Sequence, residues 1–366
     1  MKTLRNYFLR EFLTPLFFTL GVLSFVMVLV GNLKRIADLV INKGVDIISV
    51  SKLFLFMMPY IVTYALPISV LIAVLLSLGR LAGDNEVIAI RSSGVNIIKL
   101  VLPFIVVGAI LSLALIIFND RASAYAHYAY RQTLTQVGLK NPTAAFEEGV
   151  FINSFQKYIL FIYRVDQKKN KIYNVRIYEP QEGKPTRTII AKSGEFIAIP
   201  EKKIIKLKLV DGTSDEPDLE NPTNFYKLNF KTYFMNLNLS QGNKGKLDKK
   251  PKDMTIKELQ QEINKLKKEG IDPAPLITQI NEKINLALSC FVFILIGAPL
   301  ALITRRREKS INIGIAVLII LIYYPLIIGA AALGMEGKIN PYISMWIPNA
   351  IFAAIGTFLT IKICAS

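Results

Sequence analysis

The chain has 366 residues, 52% of them hydrophobic, and its mean hydropathy of +0.41 is too high for a soluble protein of this size. Because 19% of the residues are also charged, the apolar ones must be gathered into blocks, and the blocks rather than the length set the domain organisation. The net charge of +17 would suit nucleic acid, but the basic residues flank apolar blocks or alternate with Asp and Glu, which argues against a nucleic-acid partner and for membrane flanks or an acidic amphiphile such as a phosphorylated lipid.

Taken in chain order, the first apolar stretch, Phe12 to Leu33, begins just after Arg10 and Glu11 and is too long for a cleavable signal peptide. A hydrocarbon core of about 30 Å needs about 20 apolar residues, so this stretch can span. Lys34 and Arg35 stand at its far end, with Lys43 and Lys52 beyond. Such cations suit lipid phosphate by charge and hydrogen bonding, or simply snorkel to the interface. Leu53 to Gly79 is a second span, whose Pro59 and Pro67 neighbouring helices can accommodate.

Between the second and third spans lies Leu78-Gly-Arg-Leu-Ala-Gly-Asp-Asn-Glu-Val-Ile-Ala-Ile-Arg-Ser-Ser-Gly. Asp84 is expected to cap a short helix, Glu86 to meet its dipole, and Gly94 to stop it after about three turns. Val87, Ile88 and Ile90 give it an apolar face. A short amphipathic helix of this kind either docks into a groove on a soluble partner or rests on lipid headgroups.

The third span is Leu100 to Asn119, and Arg121 to Val137 reads as its helical continuation. The period then changes. Segments 150–155, 157–164, 171–178, 187–192, 195–199, 203–210 and 224–234 read as strands separated by Gly, Pro, Asn and Asp turns. Short strands at this spacing suggest a sandwich, jelly roll or barrel. Tyr158 to Tyr163 is apolar on both faces, as in a buried strand or one lining a greasy groove. After a basic linker, Gln241 to Lys252, comes an amphipathic helix, Met254 to Glu269, ended by Gly270 and Pro273. Three more spans follow: Ile284 to Thr304, Ser310 to Met335 and Ile339 to Ile361.

The organisation is therefore an α-helical membrane protein of six transmembrane helices, three in 1–119 and three in 276–366, with an all-β domain and its amphipathic helix inserted at 120–275. Lys and Arg in the short loops, above all Arg305, Arg306 and Arg307, put both termini in the cytoplasm. The middle domain is long enough to be translocated regardless of its lysines. The last three arginines read as topology anchors rather than ligands.

Chemistry is sparse. No phosphate-binding loop, dinucleotide fingerprint, HExxH or GxSxG is present, so the chain has no ATPase site and no catalytic residue of its own. Glu147 and Glu148 would point to opposite faces of a strand. Cys290 and Cys364 lie in apolar spans, and His127 stands alone, so neither a disulfide framework in the middle domain nor a metal site is expected. His127 reads as a surface or packed residue without a chemical role. Spans without charged residues also speak against an intramembrane enzyme.

Tyr7, Arg10-Glu11, Leu78-Gly-Arg-Leu, Glu86, Ser93-Gly94, Met254-Thr-Ile-Lys-Glu-Leu, Gly270, Pro299-Leu300 and Tyr323-Tyr324 occur in an order that resembles the LptF/LptG permease family of the lipopolysaccharide exporter. The resemblance covers essentially the whole chain. It implies a bacterial inner-membrane permease with a periplasmic β-jellyroll-like domain, paired with a homologous permease as a hetero- or homodimer on a dimeric cytoplasmic ATPase. The ATPase would use ATP and Mg²⁺, and this chain would bind no cofactor. The resemblance implies a coupling helix near 84–94 with Glu86, Asp84, Val87, Ile90 and Arg91 at the ATPase. It implies gates at the first and fifth membrane helices and hand-over of lipopolysaccharide to a periplasmic bridge protein. Under it, Lys34, Arg35 and Lys43 would meet the lipid headgroup, and Tyr158, Phe161 and Tyr163 would line an acyl-chain groove. The competing expectation is a membrane scaffold or assembly protein whose β domain only docks partners. A lipoprotein-releasing permease fits less well, since that type places one helix before its soluble domain and three after it.

Overall fold

The computed structural model describes residues 2–37, 45–94, 96–140, 149, 151–155, 158–166, 171–181, 184–199, 204–217, 225–238, 249–304 and 309–365. The chain divides into two compact units: Met1–Gly31 with Phe56–Tyr128 and Lys249–Ser366, and Asn32–Leu55 with Ala129–Asp248. The first boundary after the β segment thus falls at Lys249 rather than near 275.

Six helices among the described residues are long and apolar enough to cross a membrane. They are α1 (Lys2–Ala37), α2 (Ile47–Gly83), α4 (Ile97–Phe118), α7 (Ala274–Thr304), α8 (Lys309–Met335), and α10 (Trp346–Ala365), the last led in by the single turn α9 (Pro341–Ser344). The connection α3 (Glu86–Ser92) separates α2 from α4. A π-helical turn, Asn119–Ser123, carries α4 into α5 (Ala124–Lys140) without a break.

In the first unit α2 and α7 form the centre, and small residues let their neighbours approach. A Cβ at Gly297 would come within 2.5 Å of the Val74 side chain, and one at Gly356 within 2.7 Å of the Leu295 carbonyl oxygen. Buried amides and hydroxyls add to this contact: Tyr323 donates to Asn349 Oδ1 at 2.6 Å, and Asn349 Nδ2 donates to Asn285 Oδ1 at 2.6 Å. Among its described side chains α1 buries Phe8, Phe12 and Leu16 at its first turns and Val28 further on; Phe8 and Phe12 meet Phe104 of α4. Phe17, Phe18, Phe25 and Val30 of α1 are exposed, as are Val317, Leu318, Leu321 and Ile328 of α8.

The amphipathic helix α6 (Ile256–Lys268) belongs to this unit because its apolar face has a partner there: Leu259 and Ile263 pack on Leu276 and Ile277 of α7. Thr255 and Glu258 form a reciprocal capping box at its start. Asp272 accepts the Ala274 N–H at 3.0 Å, which starts α7 well upstream of the expected Ile284. Glu282 and Lys283 therefore lie within a spanning helix, against the expectation of uncharged spans. Each has a local hydrogen-bond partner, as the next section describes.

The second unit contains one antiparallel sheet of six strands in sequence order: β1 (Phe151–Phe155), β2 (Tyr158–Asp166), β3 (Lys171–Gln181), β4 (Lys184–Ile199), β5 (Ile204–Pro217) and β6 (Phe225–Asn238). The strands expected at 187–192 and 195–199 are one. Gly194, which reads as a turn in sequence, sits in the ladder opposite Ile172 and Leu209, where a Cβ would press on both side chains at about 3.1 to 3.2 Å.

A crease crosses the sheet at this point. Leu160 and Ile162, Val175 and Ile177, Ile189 and Ala191 face inward on one side of it. Beyond it the inward set shifts phase, to Val165, Ile172, Phe196 and Tyr233. The shift passes through Tyr163, Asn174, Lys192, Asp211 and Lys231, which the strand ladders skip in turn. Asn174 and Asp211 have φ of +51°. Before the crease β2 alternates, with Tyr158, Leu160 and Ile162 inward, and it reads as apolar on both faces because Phe161 stacks on Phe151 on the other side. The sheet curls over its inward face: Tyr158 of β2 and Tyr233 of β6 belong to one cluster although four strands apart, and Arg187 of β4 reaches the Tyr233 ring at 6.0 Å. Burial first, then the Glu179 carboxylate and the Tyr233 hydroxyl, holds the Tyr158 phenol above its ordinary range. A second cluster of this unit joins Val45, Val50 and Leu53 to Tyr130 and Val137.

Candidate functional site

The polar residues that the sequence placed around the second connection converge on Arg80, in the last turn of α2. Its Nη2 donates to the Tyr7 hydroxyl at 2.7 Å, and that hydroxyl donates to the Glu86 carboxylate at 3.0 Å. The guanidinium Nε faces Glu11 at 2.7 Å as an ion pair rather than as an aligned hydrogen bond. Asp84 and Glu86 lie 3.8 and 3.9 Å from the other guanidinium nitrogens. One cation thus holds three carboxylates from α1, the α2–α3 turn and α3.

Asp84 does not cap α3. The N-cap is Asn85, which adopts a left-handed backbone at φ 60° and makes no side-chain cap bond, while Asp84 is turned back one helical turn toward Arg80. The helix spans Glu86–Ser92, two turns rather than three. Val87 is buried in the bundle core and Ile90 packs against it, so these two fasten the helix instead of being presented. The outward face carries Ile88, 44% exposed, with Ala89, Arg91 and Ser92. Tyr7, Glu11 and Arg80 were legible as sequence motifs, but their junction was not, since they are brought together from two helices.

The three aromatic residues grouped as one acyl-chain surface do not share a face. Tyr158 points inward beside Leu160 and Ile162, whereas Phe161 and Tyr163 are on the other side, where Phe161 stacks with Phe151 at 4.7 Å and Arg176 lies over Tyr163 at 5.5 Å. The reason is the two-residue period of the strand. The apolar inward face is closed: Leu160, Ile162, Val175, Ile177, Leu207 and Leu209 are fully buried. Lys34 and Arg35 fall on the last turns of α1, but their side chains, and Lys43 altogether, lie outside the described residues, as do Arg305, Arg306, Arg307, Glu147 and Glu148.

A second polar cluster occupies the opposite end of α4, where sequence reasoning assigned no role. Asn119 accepts the Thr63 hydroxyl at 2.7 Å and donates to the Lys283 carbonyl at 3.3 Å. Asp120 accepts the Ile256 N–H at 2.6 Å, and Lys283 donates to the Met254 carbonyl. His127 Nδ1 donates to the buried Asp253 carboxylate, so this histidine holds the segment that leads into α6. Glu282 accepts from Gln279 at 3.1 Å beside a cavity of about 50 Å³ that Thr63, Asn119 and His127 also line. These hydrogen bonds make the cluster a clasp between α4, α6 and α7.

Spans split three and three by an antiparallel β unit define a polytopic membrane protein with an inserted β domain, and the braced α3 is a fixed projection between two of its spans. The sequence pattern of the family described as lipopolysaccharide export system permease LptF/LptG matches residues 6–362. The chain belongs to that family of permeases and is a multi-pass protein of the inner membrane. It is 21% identical over 305 residues to the lipopolysaccharide export system permease protein LptF of Escherichia coli (strain K12), covering 83% of this chain and 80% of that one. The protein of the same name from Shigella flexneri matches to the same extent.

Proposed function

We propose that the chain is the permease subunit of an ATP-driven exporter that takes lipopolysaccharide from the outer leaflet of the inner membrane and passes it to a periplasmic bridge protein. A homologous permease completes the membrane portion, and a separate dimeric cytoplasmic ATPase supplies the energy. Both termini and α3 lie on the cytoplasmic side, and the β unit is periplasmic. Within the family reading, the observation that carries the ATPase contact is α3. Its inner residues, Val87 and Ile90, are fixed in the bundle core while Ile88, Ala89 and Arg91 are free to meet a groove on a soluble partner. The exposed apolar stripes of α1 and α8 suit helices that face lipid or a second permease.

One observation favours the scaffold reading instead: among the described residues the inward face of the β unit is closed, with no open apolar groove for acyl chains. The exporter reading requires this face to open when lipid arrives. A photoreactive residue at Ile162 tests it in membranes containing the whole assembly. Adducts with lipopolysaccharide that form only with ATP are the expected result, and their absence while ATP is hydrolysed would favour the scaffold.

A further inference from the structure

The Tyr7 hydroxyl sits between Arg80 and Glu86 and uses both of its capacities, accepting from the guanidinium at 2.7 Å and donating to the carboxylate at 3.0 Å. The same guanidinium grips Glu11 one turn further along α1 at 2.7 Å. Tyr7 and Glu11 therefore bind α1 to the end of α2, and Glu86 binds α3 to both. Among the described side chains this part of α1 is also held by apolar contact, through Phe8, Phe12 and Leu16, with Phe8 and Phe12 against Phe104 of α4. Beyond them the helix exposes Phe17, Phe18 and Phe25. A helix gripped at its first turns and exposed along the next ones moves as its gripped end moves.

We infer that Arg80 and Tyr7 are positioning residues that lock α3 to the first turns of α1, so that a displacement of α3 is delivered to α1 rather than absorbed in the connection. This inference rests on the docking reading of α3 for its purpose, though not for its geometry. Charge-assisted hydrogen bonds are the stronger kind, and the planar guanidinium presents separate nitrogens to Glu11 and Tyr7 in a fixed fork, which the single nitrogen of an ammonium does not. Glu86, in this arrangement, is a member of the lock as well as a residue of α3.

The test uses the full chain with its co-expressed partners and two readouts. Spin labels at the exposed positions Asn6 and Ser92 report the α1–α3 distance. Lipopolysaccharide released per ATP hydrolysed reports transmission. Wild type is expected to give one narrow distance that persists when nucleotide is added. Tyr7→Phe and Arg80→Gln are expected to broaden it and to lower lipid released per ATP about tenfold, as losing a charge-assisted hydrogen bond should, while the ATPase still co-purifies and hydrolyses ATP. Arg80→Lys should fall between them and wild type. The inference is overturned if both variants keep the narrow distance and the wild-type ratio. It is equally overturned if they lose the ATPase itself, since the network would then merely fold α3. A wild-type chain that recruits no ATPase refutes the docking reading, and the label distance still decides the lock.

Discussion

Glu258 shows how one side chain can hold an element in place. Its carboxylate accepts the Lys249 ammonium at 2.5 Å and the Thr255 N–H at 2.8 Å, and it closes the capping box of α6. The Lys249 ammonium first, then the Thr255 amide, holds the carboxyl below its ordinary range. A depressed folded value means that the contribution is complete above the unfolded value of about 4.3 and drains away as pH falls through the folded one. Comparing wild type with Glu258→Gln in detergent should therefore give a difference in melting temperature that is present near neutral pH and vanishes in acid. An unchanged difference would contradict the assignment. The capping box itself was within reach of sequence reading, since Thr255 and Glu258 carry its spacing. Partners such as Asp120 for Ile256 or Asp253 for His127 were not, because 136 and 126 residues separate them. The same limit hid the role of Arg80 and made Asp84 look like a cap: nothing local says that a cation one turn back will claim that carboxylate.

At the scale of elements, the spanning helices were readable because hydropathy over about 20 residues is decided by the bilayer rather than by neighbours. Their ends were not, and α7 in particular starts early because Asp272 caps it and the α6 contact covers its first turns. The strands were readable in composition, while their faces were not, because the crease shifts the inward set from one phase to the other along every strand from β2 to β6. That shift needs residues that accept a positive φ, and Asp211, exposed on β5, is one of them at φ +51°. Asp211→Gly is expected to leave the melting temperature unchanged or slightly raised. Asp211→Val, with a branched Cβ in that conformation, should cost about 1–3 kcal/mol of stability. Equal melting of the two variants would remove the crease as a conformational requirement. The Ser193-Gly194 pair had the look of a turn for a related reason, since Gly at a close approach and Gly at a turn are indistinguishable without the facing side chains.

For the whole molecule, composition and spacing led to six spans and an inserted β unit, the order of the motifs resembled one family, and that family's pattern covers residues 6–362. On the proposed function, the ATPase contact falls to α3, a short helix fastened to the core by Val87 and bridged to α1 by Tyr7 and Arg80. The most direct measurement is purification of the tagged full-length chain from its own membranes, as wild type and as Ile88→Glu, with identification of what co-purifies and assay of ATP hydrolysis. Ile88 is exposed, so the substitution should leave the fold and its melting intact. The account predicts a nucleotide-hydrolysing soluble partner with wild type and its loss with Ile88→Glu. A folded wild-type chain that brings no such partner, or a variant that retains it fully, would contradict the assignment of α3 as the point where ATP hydrolysis enters the membrane.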